Sequence, residues 1–123
     1  MPSASLSPLF IKIRIRQGDV FAFGPGKAAL LDAIEGCRSI AAAGRSLGLS
    51  YSKTRRLVDE MNRSFRLPLV ETAKGGSLGG GARVTETGLR IRAVFRDMEA
   101  RAEASVQEGL SAIRADLIPP PES

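Results

Sequence analysis

From Leu9 the chain alternates, with Leu9, Ile11, Ile13 and Ile15 on one side of an extended segment and Lys12, Arg14 and Arg16 on the other. Phe10 interrupts the alternation. The pattern predicts a strand over 9–16, followed by a turn at Gln17-Gly18-Asp19. The period then changes. Leu30, Leu31 and Ile34 recur at helical spacing behind Gly24-Pro25, predicting a helix over 25–35 opened by the proline and ended by Gly36 in the left-handed conformation. Ser39 is placed to cap a second helix running to about Leu47, with Ile40, Ala43 and Leu47 facing inward. Small residues at Ala41, Ala42 and Gly44 permit close approach. Gly48 breaks the chain, and Ser50 is placed to cap a third helix to about Phe65. Its inward stripe is Thr54, Leu57, Val58, Met61 and Phe65, and its other faces are strongly polar.

Two short helices joined by a tight glycine turn, the second basic in its first turns, predict a helix-turn-helix with a DNA-facing element. Pro68 ends the third helix. Strand-like segments at 69–73 and 82–85 flank KGGSLGGG, which predicts a long-tipped hairpin. Five glycines in 75–81 suggest a phosphate loop, but Gly81-Ala82 follows Gly80 where a nucleotide loop needs Lys and then Ser or Thr. The choice is between a functionless flexible tip and a wing whose amides approach phosphate, and the wing is preferred. Thr85 is placed to cap a last helix on which Ile91, Phe95, Met98, Ala102, Val106, Leu110, Ile113 and Leu117 recur every three or four residues. Helical from 86 to 116, it is roughly 45 Å long, more than a body of this size covers, so a second copy is expected on the stripe. The alternative is a helix folded back or broken near Gly109. Pro119-Pro120-Pro121 ends it.

Composition narrows the function. A chain of 123 residues, 43% hydrophobic and 25% charged, suits one globular domain. The expected division is a flexible N-terminus (1–8), a DNA-binding domain (9–85), a dimerisation helix (86–118) and a flexible tail (119–123). The fold class expected is mainly α with a small β component. With no histidine and one cysteine, the usual zinc ligands and the commonest general base are missing, and no paired carboxylates are forced into a cleft. No catalytic residue, metal site or cofactor is expected. Cys37, in an apolar stretch, is expected to pack as a small hydrophobe in a reducing compartment. The absence of a basic leader or an uninterrupted apolar run predicts a cytoplasmic protein without membrane contact.

The net charge of +5 is localised. Within 38–66, Arg38, Arg45, Lys53, Arg55, Arg56, Arg63 and Arg66 face only Asp59 and Glu60. Such a segment favours a polyanion through counterion release, although charge alone fits a solvated helix face equally well.

In the order strand, helix, helix-turn-helix, wing and long helix, the residues SIAAAGRSLGLSYSKTRRLVDEMN (39–62) and LVETAKGGSLGGGARVTETGLR (69–90) resemble the N-terminal DNA-binding domain of ModE-type molybdate-responsive regulators. The helix-turn-helix is also similar to that of LysR-type regulators. The serine-tyrosine start of the third helix, Glu60-Met61-Asn62, and the glycine-rich wing before a threonine-capped helix carry the match. The resemblance implies a dimer joined through the long helix, with recognition helices in successive major grooves and wings on the flanking backbone. Relatives carry molybdate-binding domains after that helix, whereas this chain stops at Ser123, so the expectation is a regulator without them. A separate ligand-sensing or transcription-machinery protein is then a conceivable partner.

The expected DNA-binding residues are Tyr51, Ser52, Lys53, Arg55 and Arg56 on the third helix, the caps Ser39 and Ser50, and Lys74, Ser77 and Arg83 on the wing. Arg55 and Arg56 lead, because a guanidinium bonds bidentately to guanine. Arg63 and Arg66 either grip the backbone or are merely solvated. The expected dimer contacts are Ile91, Phe95, Met98, Ala102, Val106, Leu110 and Ile113. The function expected is sequence-specific regulation of transcription on double-stranded DNA. The alternatives are an architectural DNA-binding protein and a winged-helix protein-interaction module.

Overall fold

The computed structural model describes residues 9–73 and 81–121. The segment expected to be a flexible N-terminus (1–8), the hairpin tip with Lys74 and Ser77, and the last two tail residues lie outside the described residues. The elements are β1 (Ile15–Gln17), β2 (Val20–Phe23), α1 (Pro25–Cys37), α2 (Ile40–Ser46), α3 (Tyr51–Ser64), β3 (Val70–Thr72), β4 (Ala82–Val84), α4 (Glu86–Ser105) and α5 (Gln107–Asp116). The chain is therefore mainly helical, with β1–β2 and β3–β4 forming two separate antiparallel pairs.

The alternation from Leu9 holds as far as Ile13, where Leu9, Ile11 and Ile13 are half-buried and Phe10 and Lys12 are exposed. The ladder is shorter than the predicted strand and lies further on. β2 has only four residues before Pro25, so residues ahead of Ile15 run past the end of their partner. Ile15 pairs with Phe23 and Gln17 with Val20 around Gly18, whose φ of 62° makes the tight turn.

Ser39 Oγ accepts from Ala42 N at 3.1 Å, Ser50 Oγ from Lys53 N at 3.1 Å, and Thr85 Oγ1 from Gly88 N at 3.0 Å, so all three expected caps form. Two details of α1 and α2 differ from expectation. α1 runs past Gly36 and ends at Arg38, which takes the left-handed conformation (φ 57°) with its N–H on Ile34 O. A tertiary bond supports this choice, because Arg38 O accepts from Ala82 N at 3.0 Å and thereby ties the end of α1 to β4. As a result Cys37 is exposed instead of packed, and Leu47, expected inward, is 39% exposed where α2 gives way to the turn.

The core is built from Phe23, Leu30, Leu31, Ile34, Val58, Met61, Leu69 and Phe95, all essentially buried. Phe95 meets Phe23 edge-on at 5.1 Å between ring centroids, a geometry worth about 0.5–1.5 kcal/mol beyond area burial. Phe95 is thus held by the chain's own core, and Ile91 is half-buried against the same cluster. Both had been expected at a dimer contact. The apolar stripe left at the surface begins at Met98.

Charges tie α1 to α4. Arg92 reaches Asp32 at 3.0 Å and Glu35 at 2.7 Å, and Arg96 reaches Asp32 at 2.9 Å and Glu99 at 3.0 Å. Hydrogen bonds to Glu99 and Asp32 outweigh desolvation and raise the Arg96 guanidinium above its ordinary pKa, so it stays cationic.

The last helix is interrupted at Val106, within one turn of Gly109, while Gly109 itself lies inside α5. Two side chains compete for the carbonyls that the ladder needs there. Ser105 Oγ donates to Ala102 O at 2.9 Å and Gln107 Nε2 to Glu103 O at 2.8 Å. Val106 N is left with a long 3.4 Å bond to Glu103 O, and its β-branched side chain weakens the helix further.

Candidate nucleic-acid interface

The site is built on α3. Its N-terminus is set by Gly48 (φ 72°) and by the cap at Ser50, whose carbonyl also accepts from Thr54 Oγ1 at 2.7 Å. Successive helical residues point about 100° apart. Counted from buried Thr54, the residues Ser52, Arg56 and Arg63 lie within about 20° of the direction away from the core. They form an exposed ridge. Tyr51, 58% exposed, and Lys53, also exposed, stand at the N-terminal end beside it. Ser52 Oγ is 3.4 Å from Ser50 Oγ.

Both acids of α3 are engaged by cations. Asp59 lies 3.5 Å from Arg55 Nε, and Glu60 lies 3.2 Å from Nζ of Lys27, whose side chain is almost wholly buried. Lys53, Arg56 and Arg63 have no acidic partner among the described residues. The ridge thus presents uncompensated cations and hydroxyl donors, groups able to bond phosphate oxygens or base edges. Arg55 and Arg56, placed together by sequence reasoning, are distinct: Arg55 is half-buried and paired, whereas Arg56 is exposed on the ridge.

Glu60 and Asn62 project from opposite flanks of α3, about 160° apart. Asn62 holds the β3–β4 hairpin. Its Nδ2 donates to Val70 O at 2.9 Å, and its Oδ1 accepts from Leu69 N at 2.9 Å and Val70 N at 3.2 Å. On the other flank Lys27, bound to Glu60, also donates to Phe21 O in β2. The ridge therefore runs between two hairpins. On β4, Arg83 is exposed and pairs across the ladder with Glu71, which offsets its charge.

Among the described residues, no group of three or more His, Cys, Asp or Glu is placed to hold a metal ion. Nor is any helix there long and apolar enough to cross a membrane.

The molybdenum-pterin-binding protein MopA of Rhodobacter capsulatus is 37% identical over 108 residues, which cover 85% of this chain and 41% of MopA. The molybdenum transport protein ModE of Azotobacter vinelandii is 35% identical over 85 residues, 69% of this chain and 32% of ModE. The DNA-binding transcriptional dual regulator ModE of Escherichia coli K12 is 33% identical over 87 residues, 71% of this chain and 33% of that regulator. The chain is a homologue of the ModE and Mop proteins. It spans less than half the length of each of these relatives. No family model matches it.

Two residues that organise this ModE-like chain escaped sequence reasoning. Asn62 was noticed only as part of the Glu60-Met61-Asn62 run that carries the resemblance, although it fastens α3 to β3. Lys27 left a local signal: a cation in the first turn of a helix opposes the helix dipole, so another force must hold it there. That force is the pairing with Glu60 and Phe21 O.

Proposed function

We propose that this chain is a molybdenum-related transcriptional regulator that binds double-stranded DNA through a winged helix-turn-helix and acts as a dimer in the cytoplasm. α3 is the recognition helix, with Arg56 and Tyr51 reaching base edges and Ser52, Lys53 and Arg63 positioning the backbone. Arg55 contributes after release from Asp59. Ser39, Ser50, Lys74, Ser77 and Arg83 contact phosphate around the groove. Residues 9–85 serve as the DNA-binding domain and 86–118 as the dimerisation element.

The observation that carries this reading is the ridge of Ser52, Arg56 and Arg63, exposed opposite the core while both acids of the same helix are engaged by cations. The DNA-binding regulator from Escherichia coli among the relatives supports it. Dimerisation is supported by the apolar side chains that a single copy leaves at the surface of α4 and α5. Met98 is 37% exposed and Ile113 58%, and α5 buries no residue. Ala102, Val106 and Leu110 continue that stripe half-buried.

Fluorescence anisotropy of the purified chain on its own upstream region and on scrambled DNA, over a salt series with and without molybdate, tests the proposal. A preference of about 10³-fold or more for the upstream region is the expected result. Equal, salt-sensitive binding to both would mean an architectural protein, and no binding to either would redirect the function to a protein partner. A molybdate-dependent change in affinity would show that this chain itself answers to the oxyanion.

A further inference from the structure

A second cationic element lies beside α3, on the flank opposite the β3–β4 hairpin. The guanidinium carbons of Arg14 and Arg16 stand 5.2 and 5.9 Å from the ring centroid of Phe21, within cation–π range. Phe21 is 45% exposed, and both arginines are exposed. Arg16 Nε also donates to Gly18 O at 2.8 Å, so its head is held from two directions. Arg14 has no acidic partner among the described residues. Asp19, 3.8 Å from Arg16, is fully exposed and gives only a weak, screened pairing.

The hairpin carrying this stack is fixed relative to α3. Buried Lys27 bonds Phe21 O on one side and Glu60 on the other. Arg14, Phe21, Leu57 and Glu60 border one shallow cavity of about 220 Å³, so the stack adjoins α3 directly. A helix with its side chains is about 10–12 Å across, and the major groove is about 12 Å wide. A helix filling that groove turns its two flanks toward the two sugar-phosphate ridges. One flank of α3 carries the β3–β4 hairpin, and the other carries β1–β2 with two arginines already ordered on an aromatic shelf.

We propose that Arg14 and Arg16, stacked on Phe21, are a second phosphate grip of this chain, binding the DNA backbone on the β1–β2 flank of α3. The proposal rests on the reading of α3 as the groove-entering helix. Because the grip touches phosphate and not base edges, it adds affinity and salt sensitivity without sequence preference. Stacking on Phe21 holds the guanidinium heads before binding, which lowers the ordering cost of the contact.

The test is the slope of log affinity against log salt for the full chain, its R14A/R16A variant, and the single variants R14A and R101A. Each phosphate contact contributes about 0.9 to that slope on duplex DNA. The double variant is expected to flatten the slope by about 1.8, with the upstream-to-scrambled preference and the thermal unfolding midpoint unchanged. R101A removes an equal charge from exposed α4 and is expected to leave the slope alone. An unchanged slope in R14A/R16A overturns the proposal, as does an equal effect of R14A and R101A, which would mean a general loss of charge. Absence of DNA binding by the unsubstituted chain refutes the reading of α3 and the grip together, whereas an unchanged slope in the variant refutes the grip alone.

Discussion

Gly44 of α2 lies so close to Thr54 of α3 that a Cβ at position 44 would overlap Thr54 Oγ1 and stand 3.1 Å from Thr54 Cβ. This contact sets how tightly the two helices pack, and therefore how far the α3 ridge projects. Thr54 Oγ1 is itself committed to Ser50 O, so it cannot simply rotate away. Gly44→Ala is expected to destabilise the fold by about 1–3 kcal/mol, as overpacking does. Chemical denaturation of G44A, T54A and the double variant checks this. Truncating Thr54 should recover part of the loss, and strict additivity would show that the two positions do not press on each other.

Asn62 supplies a second stability prediction. Asn62→Ala leaves Leu69 N, Val70 N and Val70 O without their side-chain partner, at an expected cost of about 1–3 kcal/mol in urea denaturation. Asn62→Asp keeps the acceptor for Leu69 N and Val70 N but sets a carboxylate oxygen against Val70 O where the amide donated, so it should also be destabilised relative to the wild type. If N62A unfolds at the wild-type midpoint, the hairpin is held by other contacts.

These two residues also mark how much of the fold was legible. The caps at Ser39, Ser50 and Thr85 and the inward side of α3 follow from local pattern, because capping and amphipathic spacing act within a few residues. What escaped was non-local. Arg38 ends α1 because β4 bonds its carbonyl, and β1 begins at Ile15 because β2 is short. Phe95 and Met98 share one helical stripe, yet one is core and the other surface, a division that depends on where α4 leaves the body. On the candidate site, the residues of α3 were readable as a basic face. The sorting of Arg55 from Arg56 was not, because it depends on which cation Asp59 takes.

That sorting makes a prediction about binding. Arg56→Ala is expected to weaken specific DNA binding by about 1–3 kcal/mol, with folding intact. Arg55→Ala should cost less, because Arg55 must first give up Asp59. Anisotropy titrations of both variants decide the order, and unchanged affinity in both would sink the base-reading assignment.

Charged substitutions on the stripe left at the surface test the dimer. Met98→Asp and Val106→Asp would each bury an unpaired charge in the proposed interface and should shift the chain to monomer in analytical ultracentrifugation. Phe95→Asp is unsuitable for this purpose, because Phe95 lies in the core of a single copy. Wild-type protein sedimenting as a monomer at micromolar concentration would falsify the dimer reading.

The discontinuity at Val106 has a mechanical consequence. The first turns of α4 are bolted to the body by Thr85, by Gly88 against Leu69 O, and by the Arg92 and Arg96 pairings with α1. Beyond Val106 no residue of α5 is buried. A force applied to the end of the chain therefore meets its softest joint one helix away from the body. Swinging α5 pulls on the long 3.4 Å bond from Val106 N and on the Gln107 Nε2 bond to Glu103 O, while turning α4 must shear the ion pairs with Asp32. The α3 ridge rides on the stiff side of that joint, so the swing of α5 is damped before it reaches the ridge, whereas a twist strong enough to turn α4 carries α1 with it.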